Sequence, residues 1–247
     1  MNDAIISSPN NPTIKLIRSL ASKKNRLDTG LFVAEGELVL ERARAEGWEP
    51  DYLLATRPVE AWGEARRLIV DGRAMAGLSS QANTSPILAA FRHRWQPSVA
   101  PEGTWLALEN IRDPGNLGTI IRTADALALS GVILVGQFCD PWGPECVRAT
   151  MGSIFGIPLV QMSLTAFTAL CRIWPGEVAG THLHASLDFR RTYTAPRLIV
   201  MGSEGTGLSE EAAAACSILV RIPMPGKAQS FNVAVATALI LYEAVKP

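Results

Sequence analysis

The first hundred residues alternate short apolar runs with apolar residues at helical spacing. Asn11 and Pro12 suit the cap and the first position of a helix. Ile14, Ile17 and Leu20 then recur every three residues, which predicts one buried helix face. The pattern predicts strands at residues 31–34, 51–55 and 68–70, a helix at residues 37–46, and a further helix between the last two strands. This arrangement is typical of a small α/β domain.

A linker separates this region from the rest of the chain. Residues 93–103 contain two prolines and a glycine and have no apolar period. Beyond them, apolar runs at residues 105–108, 132–135, 198–201 and 218–222 alternate with helical stretches. Strands that alternate with helices form a mostly parallel sheet that is covered on both faces. We therefore expect two α/β domains, residues 1–97 and residues 98–247.

The last helix, expected over residues 232–245, is apolar nearly all the way round. Such a helix must be buried on several sides, and one small domain offers limited cover. Burial against a second copy of the chain would provide the rest, so we interpret the helix as part of a homodimer interface. Burial within a single chain remains the alternative.

Composition excludes several classes of protein. The chain has 247 residues, of which 48% are hydrophobic, so it is not a disordered protein. No apolar run approaches the roughly 20 residues that span a bilayer, and the N-terminus lacks the layout of a secretory signal. The four cysteines form no CxxC pair, which favours free thiols in a reducing cytoplasm. His182 and His184 have no further ligands at a metal-site spacing, so we expect no metal.

The N-terminal end of the chain is basic although the formal net charge of the whole chain is zero. Lys15, Arg18, Lys23, Lys24 and Arg26 lie within the first 27 residues. Such a cluster is compatible with RNA binding, but a run of charges is more often simply a solvated helix face.

Three segments place polar side chains beside glycines at the edge of an apolar element: residues 109–126, 198–209 and 222–243. Sites in α/β proteins are usually built where buried strands end, so these segments predict one composite pocket. In the first segment an apolar stripe predicts a helix that begins near Asn116, which we expect at the N-cap. Arg122 lies off this stripe and is either a solvated arginine or a guanidinium that contacts RNA phosphate or ribose.

The glycines of the second segment raise the alternative of a dinucleotide-binding enzyme. Their order, GxxGxG from Gly202 to Gly207, differs from the GxGxxG pattern of that class. Ser209 is expected to cap a helix whose first turn carries Glu210 and Glu211, and this acidic start disfavours a pyrophosphate. A loop whose backbone approaches an adenosine or methionine group fits better.

Taken in order, the three segments resemble the three motifs of the SpoU (TrmH-like) RNA ribose 2'-O-methyltransferases of the SPOUT superfamily. The first 100 residues resemble the RNA-binding domain found in one branch of that family. The resemblance implies S-adenosylmethionine as methyl donor, no metal, a trefoil-knotted catalytic domain and a homodimer with active sites at its interface. It implies an RNA substrate and favours ribosomal RNA. The alternatives are the same reaction on transfer RNA, or a non-catalytic RNA-binding protein that retains the fold.

The resemblance also assigns individual residues. Those on the positions of the catalytic motifs are Asn116, Arg122, Glu204, Ser230 and Asn232. Those expected at the cofactor pocket are Gly202, Ile222, Met224 and Phe231, where Phe231 replaces the family's usual leucine. The family's arginine is proposed to activate the ribose hydroxyl. A free guanidinium, with a pKa above about 12, is a very weak base. Arg122 therefore either deprotonates the hydroxyl in a special geometry or orients the substrate and stabilises developing charge.

Overall fold

The computed structural model describes residues 5–79, 84–203 and 205–246, which form two compact units. The first unit comprises the chain up to Arg94 together with Asp140–Gly156. The second comprises Trp95–Cys139 and the chain from Ile157 onward. Residues 140–156 thus return to the first unit, a feature that a single boundary at residue 97 does not include.

The helices and strands follow from the apolar pattern of the sequence. In chain order the helices are α1 Pro12–Ser19, α2 Lys23–Thr29, α3 Glu37–Ala45, α4 Gly72–Ala76, α5 Pro114–Ala126, α6 Pro144–Thr150, α7 Leu164–Ile173, α8 Glu210–Ala215 and α9 Val233–Val245. The strands are β1 Leu31–Glu35, β2 Tyr52–Ala55, β3 Arg66–Ile69, β4 Ile87–Arg92, β5 Thr104–Glu109, β6 Gly131–Val135, β7 Leu159–Met162, β8 Glu177–Thr181, β9 Leu187–Asp188, β10 Arg197–Met201 and β11 Ile218–Arg221.

In the first unit, four strands among the described residues form a sheet in the order β1-β4-β2-β3. β4 runs antiparallel to β1 and β2, whereas β2 and β3 are parallel. The predicted cap at Asn11 is confirmed, because its side chain accepts the backbone N–H of Thr13 at 2.9 Å. Ile14 and Ile17 are buried against this sheet, as their spacing predicts.

The helix predicted between β2 and β3 is wrong. Residues 56–65 contain turns and extended chain instead. Pro58 and Gly63 interrupt this segment, and Gly63 adopts a left-handed φ of 55°. Trp62 fixes the segment to the unit, because its ring is buried and its indole N–H donates to the carbonyl of Trp48 at 3.0 Å.

Residues 140–156 join the first unit through a buried ion pair and an aromatic cluster. Arg26 is only 4% exposed, and its guanidinium lies 2.7 Å from the carboxylate of Asp140. The same guanidinium donates to the carbonyl oxygens of Leu20 and Ala21. The ring of Trp142 packs against Phe32 and Trp48, with centroids 4.8 and 6.3 Å apart. The ring of Phe155 packs against Phe32, Trp48 and Phe91, with centroids 4.9–5.9 Å apart.

In the second unit, seven strands among the described residues form a sheet in the order β7-β6-β5-β10-β8-β11-β9, and every recorded pairing is parallel. The predicted mostly parallel sheet is confirmed. β5 and β6 are buried along their whole length, as strands covered on both faces must be. From β5 the chain continues to β6 and β7 toward one edge of the sheet, whereas β8, β9, β10 and β11 lie on the other side of β5. The strand order therefore reverses between β5 and β10. In open α/β sheets, the carboxyl ends of strands at such a reversal usually form the ligand-binding crevice.

The last helix, α9, has one buried face and one open face within this chain. α9 packs against α5 and β10, and Ile240 and Leu241 on this side are fully buried. Its opposite face remains open, with Tyr242 70% exposed. Within a single chain, α9 is therefore buried on one side only. In the described part of the chain, no helix is long and apolar enough to cross a membrane.

Candidate functional site

A cavity of about 470 Å³ lies at the carboxyl ends of β8, β10 and β11 and beside the start of α9. Its walls include all four residues expected at a cofactor pocket: Gly202, Ile222, Met224 and Phe231. Ser230 also lines it. The parallel sheet explains this convergence, because the carboxyl ends of its strands meet at one edge. The volume lies within the range of pockets that hold small ligands, about 300–1,000 Å³.

The glycine loop after β10 brings backbone close to this cavity. A Cβ on Gly202 would lie 2.0 Å from the carbonyl carbon of Gly207, so no side chain fits there. Ser203 and Gly207 close the loop by exchanging backbone hydrogen bonds of 3.1 Å in both directions. Gly207 adopts a φ of 70°, which favours glycine. This geometry suits a ligand that is held by backbone groups.

Asn116 and Asn232 are in direct contact although they are far apart in sequence. The Asn232 side chain caps α9, since its Oδ1 accepts the backbone N–H groups of Ala234 at 2.9 Å and Val235 at 3.3 Å. Its Nδ2 donates to Oδ1 of Asn116 at 3.0 Å. These bonds fix the orientation of the Asn232 amide. The pair joins α5 to α9 next to Phe231, a wall of the cavity.

The expectation that Asn116 is the N-cap of α5 is wrong. The helix begins at Pro114, and Asp113 caps it by accepting the backbone N–H of Asn116 at 2.7 Å. An acidic cap followed by proline at the first position is a common helix start. The same rule correctly placed the start of α1, so the sequence contained the signal. The side chain of Asn116 is consequently not needed for capping.

Arg122 lies apart from the cavity within this chain. It is exposed, as its position off the apolar stripe predicts, and it does not line the cavity. It follows Asn116 by six residues, about 9 Å along the helix and about 120° around it. Among the described residues, no hydrogen bond or ion pair is recorded for its guanidinium. Glu204, the remaining predicted site residue, lies outside the described residues.

His182 and His184 line the cavity, a role that the sequence interpretation missed because it considered these residues only as metal ligands. They follow β8, a short strand whose glycine-containing sequence was not predicted as a strand. Nδ1 of His182 accepts the backbone N–H of His184 at 3.2 Å, which places the proton of the neutral imidazole on Nε2. Within the described ranges, no three His, Cys, Asp or Glu side chains gather as a metal site.

Cys171 and Cys216 of the second unit are not activated nucleophiles. Burial raises the pKa of the Cys171 thiol to about 11 and that of the Cys216 thiol to about 12. Both side chains therefore remain neutral thiols near pH 7, and a thiol is far less nucleophilic than a thiolate.

Two family models match the chain. The SpoU rRNA Methylase family matches residues 103–242, and the MRM3-like substrate binding domain matches residues 11–89. An uncharacterized tRNA/rRNA methyltransferase of Synechocystis is 31% identical, over 98% of this chain and 93% of its own. The 23S rRNA (guanosine(2553)-2'-O)-methyltransferase RlmP of Bacillus subtilis is 29% identical, over 96% of this chain and 97% of its own.

Solved structures of RNA methyltransferases are also similar to this chain over nearly its whole length. The AdoMet-bound rRNA methyltransferase of Sinorhizobium meliloti superposes with a TM-score of 0.91 at 38% identity, covering 97% of this chain and 96% of the other. The SpoU methyltransferase AviRb of Streptomyces viridochromogenes, in complex with AdoMet, has a TM-score of 0.83 at 28% identity, covering 96% and 97%.

Proposed function

The chain belongs to the SpoU rRNA methylase family, and on this basis we propose that it is an S-adenosylmethionine-dependent ribose 2'-O-methyltransferase of ribosomal RNA. The observation that carries the proposal is the convergence of Gly202, Ile222, Met224, Ser230 and Phe231 on one cavity. The match to AdoMet-bound relatives over nearly the whole chain supports it.

The cavity fits this methyl donor in size and chemistry. Ile222, Met224 and Phe231 offer apolar surface to an adenine ring. The glycine loop presents backbone donors and acceptors, and Gly202 keeps that backbone close. His182 provides an Nε2–H donor at the same wall. When bound, S-adenosylmethionine supplies an activated methyl group on a sulfonium.

The asparagine pair and Ser230 orient the ribose in this proposal. Asn232 is held by the start of α9 and by Asn116, so its amide cannot rotate freely. A rigid polar pair beside the cavity favours one position of the ribose hydroxyl relative to the methyl group, and such positioning accounts for much of the rate of a transfer reaction. Glu204, which matches the second motif, belongs to the same proposed set.

We assign Arg122 a role in orienting RNA and stabilising developing negative charge on the ribose oxygen. Its guanidinium is a donor with no acceptor capacity at neutral pH, which suits phosphate and alkoxide oxygens. Because Arg122 lies away from the cavity of its own chain, this role requires a site that is completed at a subunit interface.

The proposed homodimer rests on the open face of α9. Val235, Leu239 and Tyr242 are 49%, 39% and 70% exposed, and their i, i+4, i+7 spacing places them on one face of the helix. An exposed apolar stripe of this kind marks a surface that a partner covers. The family resemblance supports a second copy of this chain as the partner, and it likewise supports a trefoil knot in the second unit.

Ribosomal RNA is the preferred substrate because the first unit matches the MRM3-like substrate binding domain and RlmP acts on 23S rRNA. A ribosomal RNA substrate in a bacterial relative also supports a cytoplasmic protein. Four exposed basic side chains of α1 and α2 would contact the phosphate backbone: Lys15, Arg18, Lys23 and Lys24. Arg26, the fifth basic residue of the predicted cluster, is buried and paired with Asp140, so it is not available for RNA.

Calorimetric titration with S-adenosylmethionine tests the first part of the proposal. If the protein is an enzyme, the titration should give a heat of binding and a stoichiometry near one S-adenosylmethionine per chain. A non-catalytic RNA-binding protein would give no binding signal. Incubation with methyl-labelled S-adenosylmethionine and unmodified ribosomal RNA should then place the label on a ribose. Label on a base, or no cofactor binding, would contradict the proposal.

A further inference from the structure

A second cavity, of about 630 Å³, lies at the carboxyl ends of β6, β5 and β10. It spans the point where the order of the strands reverses. Ser203 and Thr206 of the glycine loop line both this cavity and the first one. The two cavities therefore lie on either side of one loop. Of the predicted site residues in the described part of the chain, all but Arg122 line the first cavity or contact its edge, and none of them lines the second cavity.

The wall of the second cavity is rigid and locally strained. Asn110 adopts a left-handed φ of 57°, which is unusual for a residue with a side chain. Its Oδ1 accepts the backbone N–H of Gln137 at 2.9 Å, and its own N–H donates to the carbonyl of Val135 at 3.1 Å. Gly136 adopts a φ of 71°, which favours glycine, and a Cβ there would lie 2.7 Å from Oδ1 of Asn110. Such strain persists mainly where surrounding structure and function maintain it.

Hydrogen-bonding side chains line this rigid wall. Arg112 and Gln137 are exposed there, and no hydrogen bond from either side chain is recorded within the described residues. The guanidinium of Arg112 offers only donors, while the Gln137 amide offers a donor and an acceptor. Because Oδ1 of Asn110 accepts the backbone N–H of Gln137, the Nδ2 group of Asn110 points away from that N–H. Arginine and amide side chains are the groups with which proteins contact the edges of nucleobases.

The carboxylates beside this cavity disfavour a phosphate. Among the described residues that line it, the carboxylates of Glu109 and Asp113 face one cation, the guanidinium of Arg112. Glu109 is 1% exposed, and its Oε2 accepts the backbone N–H of Ser209 at 2.8 Å, which ties β5 to the start of α8. Two carboxylates would repel the charge of a phosphate, whereas a neutral base has hydrogen-bonding edges without that charge.

Along the chain, only a few residues separate the second cavity from the proposed transfer site. Arg112 lies at the second cavity, and Asn116 follows it by four residues. Asn116 is bonded to Asn232, and the neighbouring Phe231 lines the first cavity. A nucleotide whose base occupies the second cavity would thus have its ribose near the asparagine pair, beside the methyl donor.

We propose that the second cavity binds the unstacked base of the target RNA nucleotide, with Arg112 and Gln137 as base-binding residues. The inference rests on the proposed function, because it assigns the substrate side of the same reaction. Sequence-specific RNA recognition generally uses single-stranded nucleotides whose bases are turned out. A cavity of about 630 Å³ at the sheet edge has room for such a base.

The test uses the full-length protein with Arg112→Ala and Gln137→Ala. Matched controls are Arg172→Ala and Gln161→Ala, which replace exposed residues of the same two types in the same unit and outside this cavity. Methyl transfer is measured on a transcript that contains the mapped target nucleotide and on transcripts with each of the other three bases at that position. Calorimetry measures the affinity for S-adenosylmethionine in parallel.

For the native transcript, each base-site variant should lower kcat/KM by about 5- to 150-fold, the range expected for one specific base contact. Discrimination between bases should weaken, while cofactor affinity stays within twofold of wild type and the controls behave as wild type. Unchanged kcat/KM and discrimination in both variants, or an equal loss of cofactor affinity, would overturn the base site. If the wild-type protein transfers no methyl group to RNA, the proposed function fails first and the base site fails with it.

Discussion

Replacing Gly202 by alanine is the sharpest perturbation of the proposed cofactor loop. The added Cβ would lie 2.0 Å from the carbonyl carbon of Gly207, 2.2 Å from its oxygen and 2.2 Å from the nitrogen of Leu208. Carbon contacts are favourable near about 3.5 Å, so the backbone must separate by roughly 1.5 Å. The atoms that must move belong to the backbone, which cannot relax by a rotamer change. Overpacking of this kind typically costs about 1–3 kcal/mol of stability.

Gly72→Ala is the matched control, because it adds the same methyl group at a position outside the cavity. A Cβ on Gly72 meets nothing within 4 Å. Calorimetric titration should give a Kd for S-adenosylmethionine that rises at least about tenfold in Gly202→Ala, which corresponds to about 1.4 kcal/mol. In Gly72→Ala the Kd should stay within about twofold. Wild-type affinity in Gly202→Ala, or an equal loss of affinity in Gly72→Ala, would refute the assignment of this loop to the cofactor.

Three further predictions follow from particular side chains. Arg122→Ala should nearly abolish methyl transfer while circular dichroism and cofactor affinity stay unchanged, and wild-type turnover would contradict its assigned role. Leu239→Glu should convert a dimer to a monomer in light scattering, because burying an unpaired carboxylate costs several kcal/mol; Ile173→Glu, at a 77% exposed position, should not. A wild-type mass near 26.5 kDa would rule out the dimer. Arg26→Met should lower the free energy of unfolding by about 3–5 kcal/mol in urea titration, since it leaves the carboxylate of Asp140, which is 12% exposed, without its partner. A loss below about 1 kcal/mol would contradict this.

Segments whose apolar pattern is local and strong could be predicted from the sequence. β5, β6 and β10 lie where continuous apolar runs occur, because strands covered on both faces need apolar residues at every position. The caps of α1 and α8 were predictable from Asn11 and Ser209, whose side chains bond to nearby backbone N–H groups. These features depend on residues within four positions of each other.

Features that depend on distant contacts could not be predicted. Arg26 and Asp140 are 114 residues apart, and nothing in local spacing indicates that they form a buried pair. β8 contains a glycine and few apolar residues, so its carboxyl end and the histidines beyond it were missed. Leu241 and Leu239 look alike in sequence, yet the first is fully buried and the second is 39% exposed. Only Leu239 is therefore a suitable position for testing the interface.

The candidate site was predictable in part from local sequence patterns, while the rest depends on contacts between distant residues. The residue types at the strand ends predicted a composite pocket, and the family resemblance assigned its members. The direct bond between Asn116 and Asn232 needed the fold, because their sequence separation is 116 residues. The second cavity also needed the fold, because its wall combines residues that follow three different strands.

Mapping ribose methylation across the ribosomal RNA of cells with and without this protein tests the central claim most directly. Deletion should remove 2'-O-methylation at one defined nucleotide, and expression of the wild-type chain, but not of Arg122→Ala, should restore it. Identical maps in the two strains, or the loss of a base methylation instead of a ribose methylation, would contradict the claim.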